Sequence, residues 1–122
     1  MNKTTLTFTI PDVPGSVNSL YGITKFGRKY MRPQGKSFKE LVHRKLESVQ
    51  QIEDIFYGRL KIKFTIYFNT LRKRDLDNCM KILWDSLEHV LFDDDAQIDD
   101  YRVVRAYDAL KPRVEVEVET II

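Results

Sequence analysis

Alternation of apolar and polar residues predicts two strands, one near the N-terminus and one near the middle of the chain. In Thr5–Ile10 each apolar residue follows a threonine, and Pro11 ends the pattern. In Leu60–Phe68 every second residue is apolar, which is the clearest alternation in the sequence. Because successive side chains point to opposite faces of a strand, we expect each of these strands to bury one face.

Apolar residues spaced three and four positions apart predict two helices. The first covers residues 34 to about 54, and the second covers residues 74–91. The two apolar stripes comprise Phe38, Leu41, Val42, Leu46, Val49 and Ile52 in the first helix, and Leu76, Cys79, Met80, Leu83, Trp84, Leu87 and Leu91 in the second.

The remaining segments complete an α/β fold. Residues 11–33 are rich in glycine, proline and bases, and they form either a small hairpin or a mobile loop. Two more strands are predicted at 101–108 and 113–121, and the turn at 110–112 indicates that they form a C-terminal hairpin. The order βαβαββ predicts a single domain over residues 1–122, in which two helices pack on a mixed sheet.

Composition favours a folded domain. The 122 residues are 43% hydrophobic and 31% charged, and no apolar run approaches the roughly 18–20 residues that cross a bilayer. No secretory signal opens the chain, so we expect a cytoplasmic protein without a membrane partner. The single cysteine excludes an intrachain disulfide and a cysteine-based zinc site.

Charge is strongly segregated along the chain, although the net charge is only +2. Residues 25–45 contain eight lysines and arginines against one acid, whereas residues 93–100 contain five aspartates and no base. A basic segment suits a polyanion, and an acidic cluster repels one unless a cation lies between them. Metal-dependent chemistry on nucleic acid explains both clusters, and so do two solvated surfaces of opposite charge.

Asp75 and Asp77 lie where the predicted central strand passes into the second helix. An aspartate at a helix start caps the helix and suits its dipole, which explains one of the two without any function. The second carboxylate and Asn78 then have no structural explanation. Nor do the three preceding bases: Arg72, Lys73 and Arg74.

Helical spacing places Asp77, Lys81 and Asp85 in one row, opposite the apolar stripe. The row is either an exposed ion-pair ladder or a functional face, on which Lys81 stabilises charge on a phosphoryl oxygen. Hard cations such as Mg²⁺ bind carboxylates, water and substrate phosphate. The aspartates at 93–95 therefore become candidate ligands together with Asp75 and Asp77.

Aromatic residues alternate with bases in the N-terminal segment. Tyr21, Phe26 and Tyr30 are either stacking surfaces for unpaired bases or buried anchors of the loop.

Several of these segments resemble the RusA Holliday junction resolvases. The specific match joins residues 74–78 (RDLDN) and Lys81 to residues 84–87 (WDSL) and 94–97 (DDAQ). Weaker matches are residues 14–18 (PGSVN) and 101–104 (YRVV). The resemblance spans most of the chain and suggests a phage or prophage origin.

The resemblance implies a homodimer that resolves four-way DNA junctions by paired nicks in recombination and repair. Its cofactor is Mg²⁺, with Mn²⁺ as a possible substitute and no small-molecule cofactor. The catalytic residues fall on Asp75, Asp77, Lys81 and Asp95. The extra Asp93 makes Asp94 a rival of Asp95 as the third metal ligand.

Eight bases are expected to contact DNA phosphates. They are Lys25, Arg28, Lys29, Arg32, Lys36, Arg72, Lys73 and Arg74. The alternative function is a catalytically inactive module, or a protein that acts on other branched DNA.

The spacing of the carboxylates raises a geometric problem. A continuous helix from Asp77 to Leu91 separates its ends by about 21 Å, at about 1.5 Å per residue. Because ligands lie about 2 Å from Mg²⁺, such a helix cannot bring both ends to one ion. We therefore hypothesise a two-fold dimer in which Asp75 and Asp77 of one chain meet Asp95 of the other. The alternative is a broken helix with all ligands in one chain.

Overall fold

The alternating segments form strands and the segments with helical spacing form helices, as predicted. A computed structural model describes residues 5–15, 17–49, 56–71 and 76–121. Its elements are β1 (Thr5–Ile10), α1 (Val17–Leu20), β2 (Tyr21–Ile23), β3 (Lys29–Met31), α2 (Pro33–Val49), β4 (Leu60–Phe68), α3 (Asp77–Leu87), β5 (Ile98–Tyr107) and β6 (Arg113–Thr120), with a 3₁₀ turn at Asp95–Gln97.

Four strands form a mixed sheet in the order β1–β6–β4–β5. The strand β4 lies inside this sheet, antiparallel to β6 and parallel to β5. All five apolar residues of β4 are buried on one face, where the apolar stripes of α2 and α3 join them in one core. The predicted α/β fold with a mixed sheet and two packed helices is confirmed.

The predicted C-terminal hairpin is wrong. The strands β5 and β6 follow each other in the chain, but β4 lies between them. The apolar face of β4 is buried against the core. Both edges of β4 are hydrogen-bonded along almost their whole length, to β5 over Leu60–Phe68 and to β6 over residues 60–67. The connection at 108–112 therefore passes the end of β4. There, Arg113 Nη1 lies 2.8 Å from Asp108 Oδ2.

A hairpin, and not a loop without secondary structure, forms within residues 11–33. Its strands β2 and β3 pair antiparallel, with Tyr21 opposite Met31. The turn is closed by the Thr24 amide donating to the Arg28 carbonyl at 2.7 Å. Gly27 adopts a φ of 83°, a left-handed conformation that glycine tolerates best. We refer to Tyr21–Met31 as the basic hairpin; the short helix α1 before it was not predicted.

The helix α2 begins at Pro33, one residue before the predicted start. Proline is favoured at the first helical position because the amide that it lacks has no intrahelical partner there. The helix ends at Val49, and the predicted extension to residue 54 lies outside the described residues. Phe38, Val42 and Leu46 are buried, as the apolar stripe predicts.

The helix α3 ends four residues earlier than predicted. Glu88 is extended, and His89 adopts a φ of 68°, which is uncommon for a residue other than glycine. The chain then turns back, so that Leu91 and Phe92 reach the core without being helical. The Leu91 carbonyl accepts a hydrogen bond from the Phe56 amide at 2.8 Å. The apolar spacing therefore predicted correctly that Leu91 is buried, but it predicted wrongly that Leu91 is part of the helix.

The crossover from β4 through α3 to β5 fixes where the acidic residues lie. Because β4 and β5 are parallel, α3 runs back along the sheet between them. Asp77 therefore lies toward the carboxyl end of β4. The loop that contains Asp94 and Asp95 leads into Ile98, which pairs with Leu60 at the amino end of β4.

Candidate metal and DNA-binding site

One face of α3 carries the predicted row of charges. Lys81 Nζ lies 3.4 Å from Asp85 Oδ2, which confirms that this i, i+4 pair forms. Asp77 is exposed in the first turn of the helix, a position that also suits the helix dipole. Glu88 follows Asp77 by eleven residues, about three helical turns, and continues the row past the end of α3.

The basic hairpin is attached to this row through Tyr21. The Tyr21 hydroxyl donates a hydrogen bond to Asp85 Oδ2, and Lys81 Nζ lies 4.8 Å from the centre of the Tyr21 ring. The pKa of Tyr21 is raised, first by burial of the phenol and then by the neighbouring carboxylate of Asp85. Tyr21 is therefore one of the loop anchors that the sequence left as an alternative to base stacking.

A cluster of three carboxylates follows α3. Glu88, Asp94 and Asp95 each offer an oxygen atom within 4.8 Å of the other two. Sequence analysis missed Glu88, although two signals point to it. It continues the charged row, and it is an acid at a helix C-terminus, where the negative end of the helix dipole disfavours acids.

The residues present fit a hard divalent cation. The cluster consists of carboxylate oxygens, the ligand type that Mg²⁺ and Mn²⁺ prefer. Oxygen ligands around one octahedral Mg²⁺ lie roughly 3–4 Å apart, a spacing close to the 4.8 Å within which the oxygens of this cluster lie.

Hydrogen bonds made by the side chains of Asp94 and Gln97 hold the loop at 94–97 in place. Asp94 caps the 3₁₀ turn, with its Oδ1 accepting from the Ala96 amide at 2.9 Å. This hydrogen bond is the main cause that lowers the pKa of Asp94, and the charge of His89 acts in the same direction. Gln97 ties the loop to the core, because its Nε2 donates to the Phe56 carbonyl at 3.0 Å. One oxygen of Asp94 is thus committed to the turn.

The other aspartates of the acidic segment have basic or imidazole neighbours. Asp99 is paired with Arg59, and Asp100 lies 4.0 Å from Lys61. The carboxylate of Asp93 lies 3.6 Å from His89 Nδ1. Asp99 and Asp100 are therefore paired with bases outside the cluster, whereas His89 lies beside both Asp93 and Glu88, with its Nε2 3.8 Å from Glu88 Oε1.

The structure does not bring Asp77 to this cluster. Eleven helical steps of about 1.5 Å put roughly 16 Å between the backbones of Asp77 and Glu88. The early end of α3 does not shorten this distance, because the following loop keeps Asp94 and Asp95 beside Glu88. Asp75 lies outside the described residues. The early end of α3 thus leaves Asp77 and the cluster at opposite ends of the helix, and the broken-helix alternative, with all ligands in one chain, stays a prediction.

Five of the eight predicted phosphate-binding bases lie in the described part of the chain, and four of these five are exposed. Lys25, Arg28 and Lys29 are exposed around the tip of the basic hairpin, and Lys36 is exposed on α2. Arg32 is partly buried and supports the hairpin, since its Nε donates to the Tyr21 carbonyl at 3.1 Å. The bases at 72–74 lie outside the described residues.

No described helix is long and apolar enough to cross a membrane.

Residues 12–119 match the family model described as Endodeoxyribonuclease RusA. This chain belongs to the RusA family. The RusA match includes the basic hairpin, the row on α3 and the loop at 94–97, so it does not depend on one motif. The resemblance inferred from the sequence is thereby confirmed.

Similar proteins from bacteria and phages share the name crossover junction endodeoxyribonuclease RusA. The chain is 38% identical over 101 residues to the crossover junction endodeoxyribonuclease rusA of Enterobacteria phage HK97, covering 80% of both chains. It is 33% identical over 103 residues to the protein of that name in Escherichia coli K12, covering 83% of this chain and 82% of the relative. Phage 82 has a relative that is 34% identical over 94 residues, covering 75% and 76%. These phage relatives support the expected prophage origin.

Proposed function

We propose that this chain is a Mg²⁺-dependent endodeoxyribonuclease that resolves four-way DNA junctions by paired nicks, in recombination and repair. Membership of the RusA family supports the reaction and the branched substrate. One structural observation supports the site: the basic hairpin is docked on the α3 face that carries Lys81, and a carboxylate cluster follows that face. DNA phosphates held by the hairpin would thus lie close to the acids.

We further propose that the whole chain is one nuclease domain acting as a homodimer with shared sites. Asp75 and Asp77 of one protomer would bind the ion together with Asp95 of the partner subunit. The separation of about 16 Å within one chain supports this arrangement, because one ion cannot span it. A two-fold axis makes two such sites from two chains, and two sites match two nicks.

Each protein group has a separate task in the proposed reaction. The chemistry supplied by a bound Mg²⁺ is Lewis-acid stabilisation of the phosphate and a lower pKa for an attacking water. The ammonium group of Lys81 stabilises negative charge that develops on a phosphoryl oxygen. Lys25, Arg28 and Lys29 hold neighbouring phosphates, so binding weakens as salt concentration rises.

Asp95 is the stronger candidate for the third ligand, with Asp94 as its support. The hydrogen bond from the Ala96 amide commits one oxygen of Asp94 to the 3₁₀ turn. Asp95 is exposed beside Glu88, which is placed to offer a further oxygen to the same ion.

Cleavage of a synthetic four-way junction and of a linear duplex of matched sequence tests the function. We expect nicks on two opposed strands of the junction in Mg²⁺, no cleavage of the duplex, and no cleavage of either in EDTA. Tight junction binding without a nick in Mg²⁺ or Mn²⁺ would support the alternative of an inactive DNA-binding module.

Phe26 is a candidate for recognising the branch point. Its side chain is 83% exposed at the tip of the basic hairpin, and Lys25 Nζ lies 5.2 Å from its ring. Stacking on an unpaired base contributes about 1–3 kcal/mol, so we expect Phe26→Ala to weaken junction binding roughly 5- to 150-fold. Duplex binding should change little, because its bases are stacked on each other. Titration of both DNAs by fluorescence anisotropy measures the difference.

Leu110→Ala is the matched control for Phe26. Leu110 is also a large apolar side chain on a turn, and it is 90% exposed. Its replacement should leave the affinity for both DNAs unchanged. Equal weakening of junction and duplex binding by Phe26→Ala would contradict a role at the branch point.

A further inference from the structure

Tyr21, Asp85 and Lys81 form a three-residue contact that the family signature does not explain. One oxygen, Asp85 Oδ2, accepts the hydrogen bond from the Tyr21 hydroxyl and lies 3.4 Å from Lys81 Nζ. The same ammonium group lies 4.8 Å from the centre of the Tyr21 ring. The ring and the carboxylate therefore both contact the Lys81 ammonium group.

A lysine on an exposed helix face needs such restraint to act on one phosphate. Its ammonium group sits on a flexible chain of four carbons, and an exposed ion pair alone holds it weakly. The Lys81 side chain is still 44% exposed, so the ion pair with Asp85 is insufficient to fix it. A hydroxyl that fixes Asp85 and a ring that covers the ammonium group both reduce this freedom.

Tyr21 is itself held firmly from the side of the hairpin. It is the first residue of β2 and pairs with Met31 of β3. Its carbonyl accepts from Arg32 Nε at 3.1 Å, and the preceding carbonyl, of Leu20, accepts from the Arg32 amide at 2.7 Å. The backbone of Tyr21 is thus held by the hairpin, and its phenol reaches from there to α3.

We propose that Tyr21 is a positioning residue for the cleavage reaction: its hydroxyl and ring hold Asp85 and Lys81 in the orientation that the phosphate requires. The proposal rests on the proposed role of Lys81 in the nuclease. In this proposal the basic hairpin has a second role besides DNA binding, which is to position Lys81. The hairpin that presents Lys25, Phe26 and Arg28 to DNA also sets the ammonium group beside the scissile phosphate.

Single-turnover cleavage of a four-way junction by Tyr21→Phe tests the proposal. Removal of a hydrogen bond to a charged group should slow cleavage roughly 10-fold or more, with junction affinity unchanged. Combining this change with Asp85→Asn should cost no more than the larger of the two single effects, because both act through Lys81. Effects that multiply in the double variant would overturn the proposal.

Tyr67→Phe is the matched control. Its hydroxyl also donates to a carboxylate, Glu115 Oε2 at 3.4 Å, and its ring also contacts a cation, with Arg113 Cζ 3.8 Å from the ring centre. These contacts lie on β4 and β6, away from Lys81. Tyr67→Phe should therefore cleave at the wild-type rate, and a loss as large as that of Tyr21→Phe would overturn the proposal.

Nuclear magnetic resonance of the lysine ammonium groups gives a readout that does not depend on activity. The Lys81 ammonium signal, assigned by its loss in Lys81→Arg, should be ordered in the wild type and mobile in Tyr21→Phe. An equally ordered signal in both would overturn the proposal. If Lys81→Ala cleaves at the wild-type rate, the proposed role of Lys81 fails and the positioning role of Tyr21 fails with it. If only Tyr21→Phe is without effect, the nuclease assignment stands.

Discussion

Asp77→Asn should reduce the rate of junction cleavage at least about 100-fold, since loss of a residue that only supports a metal ligand already costs roughly 10- to 100-fold. Affinity for the junction should be equal to or higher than that of the wild type. The change removes a negative charge from an exposed position that belongs to the proposed site, so repulsion of the phosphates should fall. Cleavage under single-turnover conditions and anisotropy in Ca²⁺ or EDTA measure the two quantities separately.

Asp100→Asn is the control for this loss of charge. Asp100 is exposed on β5 and lies 4.0 Å from Lys61, outside the carboxylate cluster. Its replacement should alter cleavage by less than about 3-fold, as expected for a weak surface ion pair. A large loss of junction binding in Asp77→Asn would contradict a catalytic role for this residue.

Mixed dimers of Asp77→Asn and Asp95→Asn subunits should regain cleavage that neither homodimer has. In a shared site, one centre of the mixed dimer combines both damaged residues. The other combines an intact Asp77 with Asp95 of the partner subunit. We therefore expect one nick per junction from the mixed dimer and two from the wild type. Co-expression with two different affinity tags isolates the mixed dimer, and strand-specific labels report which strands are cut.

The mixed dimer separates two arrangements of the ligands. If all ligands of one ion come from one chain, each subunit carries one damaged residue and both centres fail. If a mixed dimer binds junctions but is completely inactive, the shared-site hypothesis is contradicted. The distance along α3 is the physical reason to expect the opposite, since about 16 Å separates Asp77 from Glu88 at the other end.

Local patterns in the sequence were sufficient to predict most of the elements. The strand β4 was evident because one face is entirely apolar, and α3 because its stripe and its charged row lie on opposite sides. The turn after Leu87 was not evident. Leu91 has the spacing of a helical core residue, but it reaches the core after a reversal at His89. The periodicity of apolar residues predicts which side chains are buried. It does not determine the backbone conformation, because more than one conformation can bury the same side chains.

Contacts between distant segments were the main features that the sequence did not reveal. The pairing of β4 with both β5 and β6 depends on competition between strands, which no local pattern records. Tyr21 and Asp85 are 64 positions apart, so their hydrogen bond appears only when the hairpin docks on α3. The carboxylates at 94–95 were predicted as a candidate site, whereas Glu88 was missed, although it continues the charged row of α3.

Cleavage of a supercoiled plasmid tests the central claim most directly, because an inverted repeat in such a plasmid extrudes as a four-way junction. A resolvase with two coordinated sites should convert this plasmid to linear DNA in Mg²⁺ and leave it intact in EDTA. A plasmid without the repeat should stay supercoiled in both conditions. Linear product from the first plasmid alone is the result that we predict. Equal cleavage of both plasmids, or binding to the junction without cleavage in Mg²⁺, would contradict the assignment as a junction-resolving endonuclease.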